Sequence, residues 1–222
     1  RTLNQKKARL QVLSAMEREH EGFSKGVRTV LGARAPFQER ICGVAAELFT
    51  VEDAYVTALE TALGGALQNI ITQDARVAQE AIAYLKEQQG GRATFLPLDT
   101  LRPRFLGSRE KTALDCPGII GIAADLVRCE EKIRPAVQFL LGQVLVADTL
   151  EHALAAARKT DMRVRVVTLE GDVVYAGGSL SGGQKQPGKS LTSPHITQER
   201  SCCSKNFMIQ ISNFSEELIL HL

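Results

Sequence analysis

The chain has 222 residues, of which 27 are Lys or Arg and 25 are Asp or Glu, so its formal net charge at pH 7 is +2. A charge this close to zero gives no reason to infer polyanion binding from bulk electrostatics, and any nucleic-acid contact must come from local clusters. Hydrophobic residues make up 44% of the chain, which is enough for a packed core and excludes wholesale disorder. No apolar run approaches the ~20 residues that a membrane-spanning helix needs, so we expect a soluble protein with no membrane partner.

Cysteine usage favours a reducing compartment. The cysteines are odd in number and form neither a disulfide framework nor a CxxC pair; they are Cys42, Cys116, Cys129, Cys202 and Cys203. The chain does not open with a charged segment followed by an apolar one, as a secretory signal does. We therefore expect a cytoplasmic protein.

Residues 1–21 are predicted to form a helix at the end of a coiled-coil arm. They are polar and charged, and they contain neither Gly nor Pro. One narrow apolar stripe runs along them, formed by Leu3, Leu10, Leu13 and Met16. A stripe this narrow is more typical of a coiled-coil seam than of a helix in a globular domain.

The globular body, residues 22–186, contains an internal repeat. Each copy consists of an apolar strand, an Ala-rich helix and a second apolar strand. The predicted elements are the strands 69–72, 93–98, 144–147 and 164–169 and the helices 75–86 and 150–159. The body is therefore a tandem of two related strand–helix–strand units.

A helix of this length between two apolar strands is what a parallel crossover connection requires. We therefore predict a mixed α/β fold of two related subdomains, about residues 22–115 and 116–186. Neither subdomain is large enough to bury its own faces, so the two should pack together.

The body ends in a glycine-rich segment, Gly171–Gly183. Glycine permits a positive φ and also lets a second backbone approach closely, because no Cβ intervenes. One interpretation is a flexible linker out of the domain. The other, which we favour, is an edge strand at Val173–Tyr175 with close backbone contact at the paired glycines that follow.

Two nucleotide-binding patterns overlap in the same region. Leu180–Gln184 spells LSGGQ, the signature of ABC-type ATPases, and Gly183–Ser190 has the P-loop spacing GxxxxGK[ST]. A P-loop needs an apolar strand before its first glycine and a helix that starts at the Lys, but here Pro187 and Pro194 bracket that helix start. A nucleotide-binding fragment using residues 180–190 is therefore the alternative function.

No catalytic or metal-binding set is visible, and we predict neither an enzyme nor a bound cofactor. The histidines are widely separated, at His20, His152, His195 and His221. No HExxH motif or paired carboxylates place acidic or imidazole groups on one helix face. A single His152 on an Ala-rich helix is expected to have an ordinary structural role.

Basic residues occur in several groups, most of which we interpret as solvated faces. The groups inside the body are Arg102, Arg104, Arg109 and Lys111, and Arg158, Lys159, Arg163 and Arg165. A further group includes Lys25 and Arg28, at the junction of the N-terminal helix and the body. If the chain returns to this point, Lys185 joins it, and the patch would contact DNA phosphates without reading sequence.

Residues 187–222 differ from the body in composition. They contain no Ala, Val or Asp, and their apolar residues follow no sustained period. Ordering a residue's backbone costs roughly 1–2 kcal/mol, which scattered apolar groups do not offset. We therefore predict an irregular tail that is disordered or not native to the domain.

Several separate motifs of the body, taken in order, closely resemble the hinge domain of bacterial structural maintenance of chromosomes (SMC) proteins. The matching segments are Gly26–Leu31, Ile41–Leu48, Ala58–Ile70, Gly91–Leu98 and Val166–Gly183. The resemblance covers roughly residues 20 to 186. It stops near Leu191, where the family continues into a long heptad-bearing helix and this chain does not.

The resemblance implies a dimerisation module rather than an enzyme. In SMC proteins the hinge joins two coiled-coil arms for chromosome condensation and segregation, and the ATPase heads and accessory subunits belong to other parts of the assembly. It implies a homodimer that meets through glycine-lined sheet edges and works at the bacterial nucleoid. The interface residues carried over are Gly177, Gly178, Gly182 and Gly183, with Val173, Val174 and Tyr175 as the neighbouring edge strand.

Overall fold

A computed structural model describes residues 22–183. The predicted arm segment 1–21 and tail 187–222 lie outside the described residues. The described part contains two units of similar architecture, as the internal repeat predicts.

The first unit alternates short helices and strands. Its elements are α1 (Lys25–Leu31), β1 (Ile41–Val44), α2 (Ala45–Leu48), β2 (Thr50–Val51), α3 (Val56–Leu63), β3 (Ile70–Thr72), α4 (Ala75–Glu87) and β4 (Phe95–Pro97). A loop and a 3₁₀ turn at Glu110–Asp115 lead into the second unit.

The second unit repeats the order and adds a hairpin at its end. Its elements are β5 (Ile119–Ile122), β6 (Val127–Arg128), α5 (Arg134–Leu141), β7 (Val144–Ala147), α6 (Leu150–Lys159), β8 (Arg165–Thr168), β9 (Val173–Val174) and β10 (Leu180–Ser181). Within residues 22–183, no helix combines the length and apolar character that crossing a membrane requires.

The strands of residues 22–183 form three sheets. The first unit has the order β1-β3-β4, the second has the order β10-β9-β8-β7-β5, and β2 pairs with β6 between the units. The pairs β3–β4 and β7–β8 are parallel, and every other pair is antiparallel. The predicted α/β fold with two strand–helix–strand units is therefore confirmed, with α4 and α6 as the crossover helices.

The repeat begins earlier in the chain than the predicted elements. Strands β1 and β5 occupy equivalent edges, and each has a register shift beside its glycine, Gly43 or Gly121. The sequence carries this signal, because Gly43-Val44-Ala45-Ala46 and Gly121-Ile122-Ala123-Ala124 are nearly the same tetrapeptide. A glycine inside each of these strands interrupts its apolar pattern, so neither strand is recognised without its partner.

The crossover helices begin at side-chain caps. The Asp74 carboxylate accepts a hydrogen bond from the Val77 N–H at 2.9 Å, and the Thr149 hydroxyl accepts one from the His152 N–H at 3.3 Å. Both caps satisfy amides that the first helical turn leaves without partners. Helix α4 then buries Val77 and Leu85 against the first sheet.

The two units share one apolar core. Phe49 and Leu59 of the first unit and Ile133 and Leu141 of the second belong to the same cluster, and each is at most 1% exposed. Helix α3 packs against α5 there, beside the β2–β6 pair. Each such side chain contributes roughly 1.5–3 kcal/mol by leaving water, so the shared core makes the units interdependent.

Replacing Leu59 by Ala should therefore destabilise both units together. We expect the free energy of unfolding to fall by about 2–5 kcal/mol, because the change leaves a cavity in the shared core. Urea unfolding followed by circular dichroism, at fixed protein concentration, should keep a single transition. Ile82→Ala, at a 40% exposed position on α4, is the matched control and should have little effect. Two separate transitions, only one of them shifted, would contradict the shared core.

Candidate functional site

The glycine-rich segment folds as a hairpin at the end of the second sheet. Strands β9 and β10 pair antiparallel, with Leu180 opposite Val174 and Ser181 opposite Val173. The turn between them passes through Gly177 and Gly178, whose φ angles are +91° and +90°. Such angles strain any residue with a side chain, so the turn by itself requires glycine at these positions.

The hairpin corrects the predicted edge strand. Val173 and Val174 are 2% and 0% exposed, and their strand β9 is paired on both sides, with β8 and with β10. The edge strand is β10, which pairs only with β9 among the strands that the structure describes. Its Leu180 is 55% exposed, and Tyr175, just after β9, is 38% exposed.

One backbone edge of β10 faces away from its own sheet. The Ser179 carbonyl accepts a hydrogen bond from the Tyr175 N–H at 2.8 Å, so Ser179 faces β9. Because successive residues of a strand direct their peptide groups to opposite sides, the N–H and C=O of Leu180 face outward. An outward row of this kind is a template for pairing with another strand.

The second glycine pair is held by Asp172 of the same subunit. The Gly183 N–H donates a hydrogen bond to Asp172 Oδ1 at 3.2 Å. A Cβ added at Gly182 would collide with that carboxylate. The close approach predicted for these glycines therefore occurs at least once within the subunit.

Arg165 on β8 connects the hairpin to the first unit. Its Nη1 and Nη2 donate hydrogen bonds to the carbonyl oxygens of Ala62 and Thr61, at 2.9 and 3.2 Å, at the end of α3. Its guanidinium carbon also lies 5.3 Å from the centroid of the Tyr175 ring. Desolvation lowers the pKa of Arg165 from its ordinary value.

The first unit has a second open edge, at β4. In the repeat β4 corresponds to β8, but β8 is covered by β9 and β10, whereas β4 pairs only with β3 among the described strands. The Thr94 carbonyl and the Leu98 N–H both form hydrogen bonds with β3. The N–H and C=O of Phe95, which lies between them, therefore face outward. Pro97 has no N–H and is tolerated on such an edge.

The predicted DNA-contacting residues are only partly described. Lys25 and Arg28 are exposed on α1, and Lys25 Nζ donates a hydrogen bond to the Gln89 carbonyl at 3.0 Å. Lys185 lies outside the described residues. Exposed Arg92 lies close by, because its backbone contacts Gly26 of α1, and sequence reasoning had not singled it out.

The described residues do not assemble an obvious catalytic group. Residues 22–183 contain no cluster of three or more His, Cys, Asp or Glu side chains that could hold a metal ion. Partial burial raises the pKa of the Cys42 and Cys129 thiols. His152 Nδ1 lies 2.6 Å from Asp148 Oδ1, and this hydrogen bond lowers the pKa of Asp148.

The nucleotide-binding patterns are described only at their first residues. Leu180–Ser181 forms the edge strand β10, and a P-loop also requires a helix that starts at its Lys. The remainder of both patterns, residues 184–190, lies outside the described residues.

Comparison with known proteins gives a consistent result. The family described as "SMC proteins Flexible Hinge Domain" matches residues 38–157. The Chromosome partition protein Smc of Halothermothrix orenii is 40% identical over 188 residues, which cover 85% of this chain and 16% of that protein. The protein of the same name from Bacillus subtilis is 41% identical over 185 residues, 82% of this chain and 15% of that protein. The chain therefore spans about one sixth of the length of these relatives.

Two solved structures share the fold. A crystal structure of an asymmetric dimer of the Geobacillus stearothermophilus SMC hinge domain has a TM-score of 0.80 and 41% identity, covering 96% of this chain and 85% of that one. The Pyrococcus furiosus Smc hinge domain with an extended coiled coil has a TM-score of 0.57 and 33% identity, covering 83% of this chain and 67% of that one. The repeat, the terminal hairpin and these similarities lead to one conclusion: the chain belongs to the SMC hinge family.

Proposed function

We propose that this chain is a dimerisation hinge, in which β10 of one copy adds to the open β4 edge of a second copy. The observation that carries the proposal is that one subunit carries an added edge strand, β10, and leaves β4 open at the position where the repeat covers β8. Each copy contains both edges, so two copies can exchange them and leave neither edge open. The related Geobacillus hinge crystallised as an asymmetric dimer, which supports the association of two copies.

Side chains along the two edges also suit a protein contact. Leu180 on β10 is 55% exposed, and Phe95 on β4 is partly buried. In this arrangement Gly177, Gly178, Gly182 and Gly183 shape the hairpin that presents β10. Val173 and Val174 support it from the core, and Tyr175 lies at its rim.

The hinge would join two coiled-coil arms in a longer protein of the chromosome partition type. Residues 1–21 would be the end of one arm, and the hinge body would end near residue 186. The coiled coil on the related Pyrococcus hinge supports this organisation. The relatives' name, Chromosome partition protein Smc, supports a role in chromosome segregation. Chromosome condensation and a place at the nucleoid, in the bacterial cytoplasm, are what the family resemblance implies.

The hinge itself would be a non-catalytic module without a cofactor. The family that matches this chain is described as a hinge domain, and that description includes neither an ATPase head nor an accessory subunit. Those components would act elsewhere in the assembly.

DNA contact is the second part of the proposal. Lys25 and Arg28 are three residues apart on α1 and therefore share one helix face, where Arg92 adds a third charge nearby. With Lys185 they would neutralise phosphates without reading bases, because no base-reading motif is visible in the sequence.

A charge on the β10 edge should separate the dimer. Leu180→Asp places a carboxylate where the partner strand would pair, so we expect a monomeric mass by size-exclusion chromatography with light scattering. Ile82→Asp puts the same charge on an exposed apolar position of α4 and should leave the mass dimeric. A dimeric Leu180→Asp variant that is fully folded by circular dichroism would refute the β10 interface.

A mutational test of Gly182 must account for its contact with the Asp172 carboxylate of the same subunit. Gly182→Ala alone should disturb the hairpin, because the new Cβ meets the Asp172 carboxylate. Gly182→Ala combined with Asp172→Ala removes that collision. We expect the double variant to be folded and dimeric like Asp172→Ala alone, because Gly182 shapes the hairpin in the proposed dimer. A double variant that is monomeric where Asp172→Ala is dimeric would place Gly182 in the interface itself.

The DNA proposal predicts a change in salt dependence. Replacing Lys25, Arg28 and Lys185 together by Ala should weaken binding of DNA and reduce the slope of log affinity against log salt by about 2 to 3. The control replaces Lys111, Arg158 and Lys159, three exposed charges that are not part of the patch. Fluorescence anisotropy at several salt concentrations measures both slopes. An equal loss in the control would exclude the patch as the contact site.

A further inference from the structure

A cleft of about 500 Å³ opens in the second unit, between the loop after β4 and the first residues of β7 and β8. Its walls include Arg104, Phe105, Glu110, Phe139, Arg163 and Arg165. The proposed dimer contact uses the outer edges of β10 and β4. The cleft is a separate feature, although Ala176 of the hairpin turn forms part of its wall.

The internal repeat places a smaller cleft of about 190 Å³ at the equivalent point of the first unit. Its wall includes Gln68 and Arg92, the repeat equivalents of Gln143 and Arg163. There the incoming chain closes the space, because the Ser24 N–H donates a hydrogen bond to Gln68 Oε1 at 2.9 Å. In the second unit Gln143 Nε2 instead donates to the Phe105 carbonyl at 3.0 Å, and a larger space is left.

The larger cleft is positively charged. Three of its lining residues are arginines and one, Glu110, is an acid. Within residues 22–183, neither Arg104, Arg163 nor Arg165 forms an ion pair with a carboxylate. Half-buried Arg165 donates hydrogen bonds from both Nη groups to backbone carbonyls. Its buried Nε has no hydrogen-bond partner in the described part of the chain. An anion in the cleft would offset the cost of holding these charges together.

An aromatic surface accompanies the charges. The Phe105 side chain is 63% exposed, the most exposed large apolar side chain among the described residues. The Arg104 guanidinium lies over the Phe139 ring, 4.3 Å from its centroid, so this charge is placed at one wall of the cleft. Arginine guanidinium groups donate paired hydrogen bonds to phosphate oxygens, and an exposed aromatic ring stacks on a planar base. Together these groups suit a ligand that contains both a phosphate and a base.

We propose that this cleft binds the phosphate group of a nucleotide, with Arg163 donating hydrogen bonds to it, Arg165 adding its positive charge at the wall and Phe105 lying against the base. The phosphate has two sources with the same chemistry, a free nucleotide and the phosphorylated 5′ end of a nucleic-acid strand. This site goes beyond the hinge function, and its lining includes none of residues 180–183, the described part of the LSGGQ and P-loop patterns.

The test is a calorimetric titration of the full chain with adenosine 5′-monophosphate and with inorganic phosphate. Arg163→Ala should weaken binding of both probes about tenfold, the effect of losing one charged hydrogen bond of ~1.4 kcal/mol. Arg158→Ala removes an equal charge from exposed α6 outside the cleft and is the matched control. Arg163 is preferred to Arg165 for this test because Arg165 also holds the two units together.

Two further variants separate the parts of the site. Phe105→Ala should weaken binding of the nucleotide and leave binding of inorganic phosphate unchanged, because only the base meets the ring. Glu110→Gln should tighten binding of both probes, since it removes the one negative charge from the cleft. A merely structural role for these residues would not produce opposite effects.

Oligonucleotides with a 5′-phosphate or a 5′-hydroxyl identify the source. Binding that requires the 5′-phosphate and exceeds that of the mononucleotide assigns the site to strand ends, and equal binding assigns it to free nucleotides. The proposal is overturned if neither phosphate nor nucleotide binds saturably. It is also overturned if Arg158→Ala weakens binding as much as Arg163→Ala. Solution mass measured in parallel keeps this outcome independent of the dimer proposal.

Discussion

The core shared by the two units is the contact on which the rest of the structure depends. Each unit has a small sheet with one crossover helix, and such a layer buries too little apolar surface to be stable alone. Helices α3 and α5 and the β2–β6 pair bury Phe49, Leu59, Ile133 and Leu141 between the units. Arg165 adds hydrogen bonds across the same boundary. The sheet edges and the clefts keep fixed positions because this contact is fixed.

The functional features arise where the repeat is broken rather than where it is kept. The second unit carries the β9–β10 hairpin and the first unit has no counterpart, so β4 stays open where β8 is covered. One subunit therefore carries both an extra strand and an unfilled edge. That imbalance is a physical reason for two copies to associate, because each supplies what the other lacks.

The glycines illustrate how one residue type meets several requirements. Gly177 and Gly178 adopt positive φ angles in the hairpin turn, and Gly182 lies against the Asp172 carboxylate. These needs arise inside one subunit, before any partner is present. A glycine cluster therefore indicates a close or unusual backbone, and the structure must identify which backbone or side chain is near.

A second break in the repeat creates the basic cleft. Arg92 and Arg163 occupy equivalent positions, but the chain entering at Ser24 closes the first cleft, whereas the loop at Phe105 leaves the second one open. Sequence reasoning treated Arg163 and Arg165 as part of a solvated face. Their shared surroundings depend on a loop about 60 residues earlier in the chain, which no local pattern reports.

The sequence by itself determined the repeated helices and strands and the α/β class. Ala-rich helices α4 and α6 and the apolar strands β7 and β8 are long enough for their periodicity to be read locally. The motifs from Gly26 to Gly183 also identified the family. Tertiary structure alone decided that β9 is an inner strand and β10 the edge, because strands of two residues show no period and their neighbours are set by pairing. It also decided the partners of Arg165, which lie 103 and 104 residues away, since such contacts exist only once the two units have packed.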